Sequence, residues 1–306
     1  MSNEKDARES VDEQEEQVKD EASRRDFLRM GGMGAAGLAG AAALGVQPSK
    51  VNAETARSGK RRVVILADTN THMMPALARE MARRDHDLVL GDAGDGLADE
   101  LRDLGAKVEV VPNTADQTKP DTIQKLVDRA MDAFGGFDSA CIRTGAHGGG
   151  GILTATEKDL DIQYEGNIKS VFFALQALLP PLVKQKSGQV VINTSSAAMR
   201  PQPFVALYCA TRAGANALIR AAGLDVAPHG VTVNGTGTYA MDYPSFLHDV
   251  GADTDPAKRK EQEDMLPIRR LVQPEDAANF VAALIDGRST AQTAQFFPID
   301  GGWSFM

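Results

Sequence analysis

Cysteine is scarce in this sequence of 306 residues, which contains only Cys141 and Cys209. Two thiols are too few for a disulfide scaffold or a four-thiolate zinc site, so we expect both thiols to be free and buried, with no metal bound. Positive charge is also in deficit, because 33 Lys and Arg face 42 Asp and Glu, a formal net charge of -9. A nucleic-acid surface needs clustered basic residues. The composition therefore argues against a nucleic-acid partner and favours a small-molecule or protein partner.

The first 53 residues differ from the rest of the chain. Residues 1–22 carry nine acidic and three basic side chains, a composition typical of disorder. Ser23-Arg24-Arg25-Asp26-Phe27-Leu28-Arg29 follows, and then an apolar run from Gly31 to Val46. This run has sixteen residues, fewer than the roughly twenty that span a bilayer. Val51-Asn52-Ala53 then offers small residues for cleavage.

This N-terminal pattern resembles a twin-arginine export signal. The resemblance implies that the twin-arginine translocase is a partner during export and that residues 54–306 work as a folded protein in the periplasm or outside the cell. No soluble pool of nicotinamide cofactor is expected there. An arginine pair beside a short membrane-surface helix is the alternative interpretation.

Strand and helix patterns alternate along the mature chain. The predicted strands are 62–67, 87–90, 107–111, 137–142, 189–193, 231–234 and 295–299. The predicted helices are 75–84, 97–104, 122–134, 157–184, 205–226 and 274–285. Such alternation, with continuous apolar strands, predicts an α/β fold with a parallel seven-stranded sheet covered on both faces. A ligand of such a sheet lies beyond the carboxyl ends of its strands.

Several motifs follow one another in the second half of the chain. Tyr208-Cys209-Ala210-Thr211-Arg212 opens a helix thirteen residues after Ser195, and Asn167 lies in the preceding helix. Asp225 to Asn234, Pro274-Glu275-Asp276-Ala277 and Asp300-Gly301-Gly302-Trp303 come next. In this order and spacing, the sequence from Arg62 onward resembles the short-chain dehydrogenase/reductase family. The resemblance implies a single doubly wound Rossmann-type domain over residues 54–306, often assembled as a tetramer.

The resemblance also implies catalytic roles. In that family a Ser orients the substrate oxygen, a Tyr transfers the proton, a Lys four residues later supports the Tyr and holds the cofactor ribose, and an Asn supports a water relay. By position these residues are Ser195, Tyr208, Arg212 and Asn167, so Arg replaces the Lys. Tyr208 and Arg212 share one helix face because residues four apart are neighbours. Ser196 is the alternative serine, and a purely structural contact is the alternative for Tyr208 and Arg212.

The cofactor motifs of the family are altered here. The loop from Ala67 to Pro75 contains no glycine, although a backbone that approaches a pyrophosphate needs positions without Cβ atoms. Ile142-Arg143-Thr144-Gly145 replaces Asn-Asn-Ala-Gly after the fourth strand, Asn113 replaces an adenine-contacting Asp, and Thr238-Tyr239 replaces a Pro-Gly turn. These changes predict that the protein binds no cofactor.

A Tyr-x-x-x-Arg pattern without the glycine loop resembles the halohydrin dehalogenases, a cofactor-independent branch of the same fold. We therefore expect a lyase in which Tyr208 is the general base on a substrate hydroxyl or epoxide oxygen, Ser195 hydrogen-bonds that oxygen, and Arg212 stabilises the phenolate. Arg143, Thr144, Thr238 and Tyr239 are the predicted substrate or anion pocket. Arg143 is expected either to bind an acidic substrate or to pair with Asp68.

Two other functions stay open. A divergent oxidoreductase that uses NAD or NADP on an alcohol or ketone is the alternative, and Asn167 favours it. A non-catalytic small-ligand-binding protein is the second alternative, because fold does not fix function. We expect a homotetramer or homodimer. His72 and His147 are expected to be solvated, Gly148 to Gly151 to form a flexible lip, and Gly251 to Pro256 to form a mobile lid.

Overall fold

The computed structural model describes residues 61–146 and 150–306. The predicted export signal within residues 1–53, together with His147, Gly148 and Gly149, lies outside the described residues. The boundary that we predict between residues 53 and 54 lies outside them as well, so it stays a prediction.

The central element is one parallel sheet of seven strands. In chain order these are β1 (Arg62–Ala67), β2 (His86–Gly91), β3 (Val108–Val111), β4 (Ser139–Arg143), β5 (Gly188–Asn193), β6 (Val231–Thr238) and β7 (Phe296–Ile299). Their spatial order is β3-β2-β1-β4-β5-β6-β7, and every neighbouring pair is parallel. The chain reverses its direction of winding between β1 and β4, where Ala67 pairs with Ile142. Ligands of doubly wound sheets bind at such a switch point.

Helices cover both faces of this sheet. They are α1 (Met74–Arg83), α2 (Leu97–Asp103), α3 (Thr122–Phe134), α4 (Glu157–Tyr164), α5 (Ser170–Gln185), α6 (Ala206–Val226), α7 (Pro244–Asp249), α8 (Pro256–Asp264) and α9 (Pro274–Ile285). A π-helical segment, Glu165–Lys169, joins α4 to α5 without a break. The predicted α/β fold, a doubly wound parallel sheet in a single domain, is therefore confirmed for the described residues.

Alternate residues of the strands divide the core into two layers. Val64 and Leu66 of β1 face the layer that α1 and α9 cover. Val63 and Ile65 face the layer formed with α3, α5 and α6. This alternation follows from the two-residue period of a strand, and it explains why the central strands are apolar on both faces.

Two parts of the prediction needed extension. β6 continues to Thr238, four residues beyond the predicted end, through a glycine-rich stretch that pairs with β5 and β7 on its two sides. The segment around the predicted lid contains α7 and α8, each of which begins at a proline in its first turn.

One described helix, spanning residues 157–185, is long and apolar enough by composition to cross a membrane. Half of its apolar window is buried inside the domain, where Val171, Leu178 and Leu182 belong to the core. Its apolar character is therefore accounted for by packing against the sheet.

Candidate active site

A cavity of about 360 Å³ opens at the carboxyl ends of β4, β5 and β6. Seven of the eight predicted site residues line this cavity, namely Arg143, Thr144, Ser195, Tyr208, Arg212, Thr238 and Tyr239. Residues more than ninety positions apart in sequence meet there because parallel strands end at one edge of the sheet. These seven predicted residues therefore share one site.

The two candidate serines point to different surroundings. Ser195 lines the cavity, and its Oγ accepts a hydrogen bond of 3.1 Å from the Ala197 amide in the short turn that follows β5. Ser196 is fully buried, and its hydroxyl donates to the Gly237 carbonyl oxygen at 3.1 Å. The geometry therefore favours Ser195 as the serine that can reach a ligand.

Tyr208 and Arg212 lie one turn apart at the start of α6. The guanidinium carbon of Arg212 is 5.0 Å from the centroid of the Tyr208 ring, within range of a cation–π interaction. Arg212 is only 3% exposed, and its Nη1 donates to the Thr144 carbonyl oxygen at 2.9 Å. A buried positive charge thus stands beside the phenol, held by the backbone that follows β4.

Gly145 leaves the room that this guanidinium occupies. A Cβ at Gly145 would lie 1.8 Å from Arg212 Nη2, and its φ of +135° is one that other residues rarely adopt. The Nε of Arg212 is buried, with no hydrogen-bond partner among the described residues. The position of Arg212 is therefore set by close packing against the backbone and by one hydrogen bond.

Asn167 does not line the cavity. It is fully buried in the π-helical segment, where its Oδ1 accepts from the Ala146 amide at 3.1 Å. Its Nδ2 donates to Gln163 Oε1 and to Thr211 Oγ1, at 2.9 and 3.0 Å. Asn167 thereby links the segment after β4 to α6, the helix that carries Tyr208.

Arg143 forms the predicted pair with Asp68 and also borders the cavity. Its Nη1 contacts Asp68 Oδ2 at 2.6 Å across the ends of β4 and β1, and Arg143 also lines the cavity. Burial raises the pKa of the Asp68 carboxyl, and the neighbouring Arg143 charge acts in the opposite direction. The pair is therefore a partly buried ion pair that borders the site.

The loop after β1 contains no glycine, yet two of its residues have left-handed backbone angles. Asp68 and His72 adopt φ of +59° and +58°, in the left-handed region that favours glycine. The expectation that His72 is solvated was wrong, because it is 8% exposed and its Nε2 lies 3.0 Å from Thr238 Oγ1. Its ring also meets the Tyr243 ring edge-on, with 5.0 Å between centroids.

Aromatic side chains form the outer wall of the cavity. Tyr239 stacks on Trp303, with ring centroids 3.9 Å apart. The guanidinium carbon of Arg200 lies 4.7 Å from the centroid of the Trp303 ring. Burial raises the pKa of the Tyr239 hydroxyl. Tyr243 lines the cavity beside Arg143, and burial raises its pKa as well.

The two thiols are both buried and free, as expected. Cys141 lies in β4, where burial raises its thiol pKa. No cluster of three or more His, Cys, Asp or Glu that could hold a metal occurs among residues 61–146 and 150–306.

Comparison with known proteins identifies the family. The family model described as enoyl-(acyl carrier protein) reductase matches residues 74–304. The chain belongs to the short-chain dehydrogenase/reductase superfamily. It is 27% identical over 247 residues to 2,5-dichloro-2,5-cyclohexadiene-1,4-diol dehydrogenase LinX of Sphingobium indicum, covering 79% of this chain and 96% of LinX. It is 25% identical over 234 residues to 3-oxoacyl-[acyl-carrier-protein] reductase FabG of Staphylococcus epidermidis, covering 74% and 92%.

Solved structures of the superfamily share the fold. Levodione reductase superposes with a TM-score of 0.71 at 22% identity, covering 80% of this chain and 98% of that chain. ElxO, solved with NADP bound, gives a TM-score of 0.71 at 16% identity and covers 80% and 100%. These similarities confirm the seven-stranded Rossmann-type architecture.

The prediction that the protein binds no cofactor is wrong. The similar proteins are dehydrogenases and reductases, and ElxO was solved with NADP, which together point to a nicotinamide cofactor. The lyase expectation has no support in these comparisons, whereas the alternative of an oxidoreductase does. The absence of glycines in the first loop, together with the other altered motifs, was interpreted as loss of the whole cofactor site, and this interpretation was wrong.

The residues at the adenosine end fit a dinucleotide. Asp92 follows β2 about twenty residues after the first loop, the place where a carboxylate binds the ribose hydroxyls in Rossmann-type folds. It is half-buried, and its two oxygens accept from the Asn113 and Thr114 amides at 2.7 Å. Its position after the second strand was a signal that the sequence argument overlooked. At the phosphate end, the N-terminus of α1 faces the same edge, but side chains replace the glycines there.

Proposed function

We propose that this protein is an NAD(P)-dependent oxidoreductase that interconverts an alcohol and a ketone. The observation that carries the proposal is that Ser195 and Tyr208 line one cavity, with the buried Arg212 charge directly beside Tyr208. Membership of the dehydrogenase/reductase superfamily and the fit of Asp92 to a ribose support it.

The chain's own residues handle the substrate oxygen and its proton. Because Ser195 Oγ accepts from the Ala197 amide, its own proton can be donated to a substrate oxygen. Tyr208 gives a proton to the carbonyl oxygen during reduction and takes it back during oxidation. Arg212 stabilises the negative charge that develops on the phenol oxygen, and as a guanidinium it does so without titrating. The nicotinamide, when bound, donates or accepts the hydride.

The cavity favours a compact substrate with a ring. Its volume of about 360 Å³ lies at the small end of ligand pockets. Tyr239, Tyr243 and Phe246 supply flat apolar walls, while Arg143, Thr144 and Thr238 add polar groups at its base. We therefore propose a small cyclic alcohol or ketone as the substrate class.

The test is a reductase assay with a matched pair of variants. Purified protein is supplied with NADH or NADPH and a panel of small cyclic ketones, and absorbance at 340 nm follows cofactor oxidation. Tyr208→Phe is expected to lower kcat/KM by about 10²- to 10⁴-fold, the usual contribution of a general acid. Tyr164→Phe removes the same hydroxyl from an exposed ring and is expected to have no effect. Equal activity in wild type and Tyr208→Phe would contradict the proposed role. So would a different result: wild type releases halide from halohydrins in the absence of nucleotide, and Tyr208→Phe abolishes this release.

We also propose that the protein is exported by the twin-arginine pathway and works in the periplasm or outside the cell. Because that pathway carries folded proteins, the dinucleotide would have to be bound before export. Fractionation of cells that express the full chain is expected to place the protein outside the cytoplasm, and Arg24→Lys with Arg25→Lys is expected to retain it inside. Chromatography of the supernatant after heat denaturation would reveal retained dinucleotide. Assembly as a homodimer or homotetramer, the remaining proposal, is measured by light scattering.

A further inference from the structure

We infer that Arg143 binds the phosphates of the dinucleotide, replacing the backbone loop of glycines, and that Asp68 is its counter-ion when no nucleotide is bound. The inference rests on the proposed function, since it concerns the same cofactor. It assigns to two residues of this chain a task that superfamily members perform with bare backbone.

The position of the pair is the first argument. Arg143 ends β4, Asp68 follows β1, and these strands are neighbours at the point where the winding of the sheet reverses. A ligand of a doubly wound sheet crosses this edge. The α1 helix begins six residues after Asp68, so its N-terminus faces the same edge and favours negative charge there.

The ion pair with Asp68 leaves N–H donors of Arg143 available for a ligand. One contact of 2.6 Å joins Arg143 Nη1 to Asp68 Oδ2, and a side-chain hydrogen bond links Arg143 to Tyr243, whereas a guanidinium carries five N–H donors. The side chains of Arg143 and Asp68 are 23% and 16% exposed, and Arg143 lines the cavity. Arg143 can therefore contact a phosphate oxygen without first leaving its position.

The balance between acidic and basic side chains at this edge of the sheet also supports a phosphate-binding role for Arg143. Asp68 and the nearby Asp92 are both carboxylates, and Asp92 adds to the rise that burial causes in the pKa of Asp68. Among the described residues, further titratable side chains that line the same cavity include His72, Tyr208, Tyr243 and Asp249. A pyrophosphate that enters here meets the negative charge of Asp68, so Arg143 has to offset the charge of the pyrophosphate as well as that of Asp68. Removing the Asp68 charge should therefore strengthen phosphate binding, which a purely structural ion pair would not do.

The test compares ADP with adenosine as ligands of the full-length protein, measured by calorimetry. The two ligands differ only in the phosphates, so their affinity ratio isolates the phosphate contribution. Wild type is expected to prefer ADP by about tenfold or more, as charge-assisted hydrogen bonds allow. Arg143→Gln is expected to reduce the ratio to about two or less, and Arg143→Lys, which keeps the charge, to restore part of it. Asp68→Asn is expected to raise ADP affinity severalfold while adenosine affinity stays constant.

Arg79→Gln is the matched control, because Arg79 on α1 also pairs with one carboxylate, Glu100, but lies at the surface. It is expected to leave the ratio unchanged, and thermal unfolding of each variant verifies that it is folded. An unchanged ADP preference in Arg143→Gln, or no gain in Asp68→Asn, overturns the inference and leaves the proposed function intact. A raised KM for carboxylate-bearing substrates in Arg143→Gln, with ADP affinity unchanged, would assign Arg143 to the substrate instead. If wild type binds neither ADP nor NADH nor NADPH, the proposed function itself fails.

Discussion

Gly237 lies on β6 against the turn that carries Ser195 and Ser196, and its substitution tests how Ser195 is held in place. A Cβ added there would lie 2.6 Å from the Ser195 carbonyl carbon, 2.7 Å from the Ser196 nitrogen and 2.4 Å from Phe296 Cζ. Phe296 Cζ can move away by a change in the χ1 angle of that side chain, but the two backbone atoms belong to the turn that carries Ser195. Relief of the contact needs a shift of about 0.8 Å in that turn, since carbon atoms pack at about 3.5 Å or more.

We expect Gly237→Ala to cost about 1–3 kcal/mol of unfolding free energy, the usual range for an overpacked core. A shift of this size at Ser195 is also expected to lower kcat/KM by about a hundredfold, since misplacement near 1 Å costs that much. Urea unfolding measures the first effect, and the reductase assay measures the second.

Gly94→Ala is the control, because its nearest neighbour would be Asn70 Cα at 3.7 Å, an ordinary contact. It is expected to leave the unfolding free energy unchanged or to raise it by up to about 1 kcal/mol. If Gly237→Ala is as stable and as active as Gly94→Ala, the close packing of β6 against the serine turn does not hold Ser195 in place.

Two further predictions concern the guanidinium and a buried histidine. Gly145→Ala is expected to displace Arg212 and to lower kcat/KM by about a hundredfold. Gly135→Ala is the control, because Gly135 also has a positive φ but an added Cβ would meet nothing within 4 Å, so this variant should lose stability without that loss of activity. Equal activity in the two variants would refute the prediction. Burial lowers the pKa of His86 below its ordinary value of 6.5, so the unfolded chain takes up this proton first as the pH falls. Its contribution to stability is complete above about pH 6.5 and is lost below it, by up to about 1.4 kcal/mol per pH unit until the folded pKa is reached. Urea unfolding at pH 7.5 and 5.5 should show a smaller pH dependence for His86→Asn than for wild type, and an equal pH dependence in the two proteins would refute this.

The sequence determined the elements whose residues carry their own signals. The helix predicted over 122–134 and the helix over 274–285 agree with the structure at both ends, because amphipathic periodicity and, in the second, a proline in the first turn mark them locally. The strand over 62–67 agrees as well, since a buried central strand is a continuous apolar run. Ser195, Tyr208 and Arg212 were predicted through the resemblance to the short-chain dehydrogenase/reductase family, and the fold brings them to one cavity.

Only the tertiary structure decided the rest. The last residues of β6 include Gly235 and Gly237, which have low strand propensity, so pairing with β5 and β7 makes them a strand. Asp68 and Arg143 are 75 positions apart, and the sequence left open whether they pair, whereas the structure places them 2.6 Å apart. Asp68 and His72 adopt positive φ although neither is glycine, which residue identity alone argued against. Local signals fix elements because they act over a few residues, whereas partners across the sheet depend on which strand ends the fold places side by side.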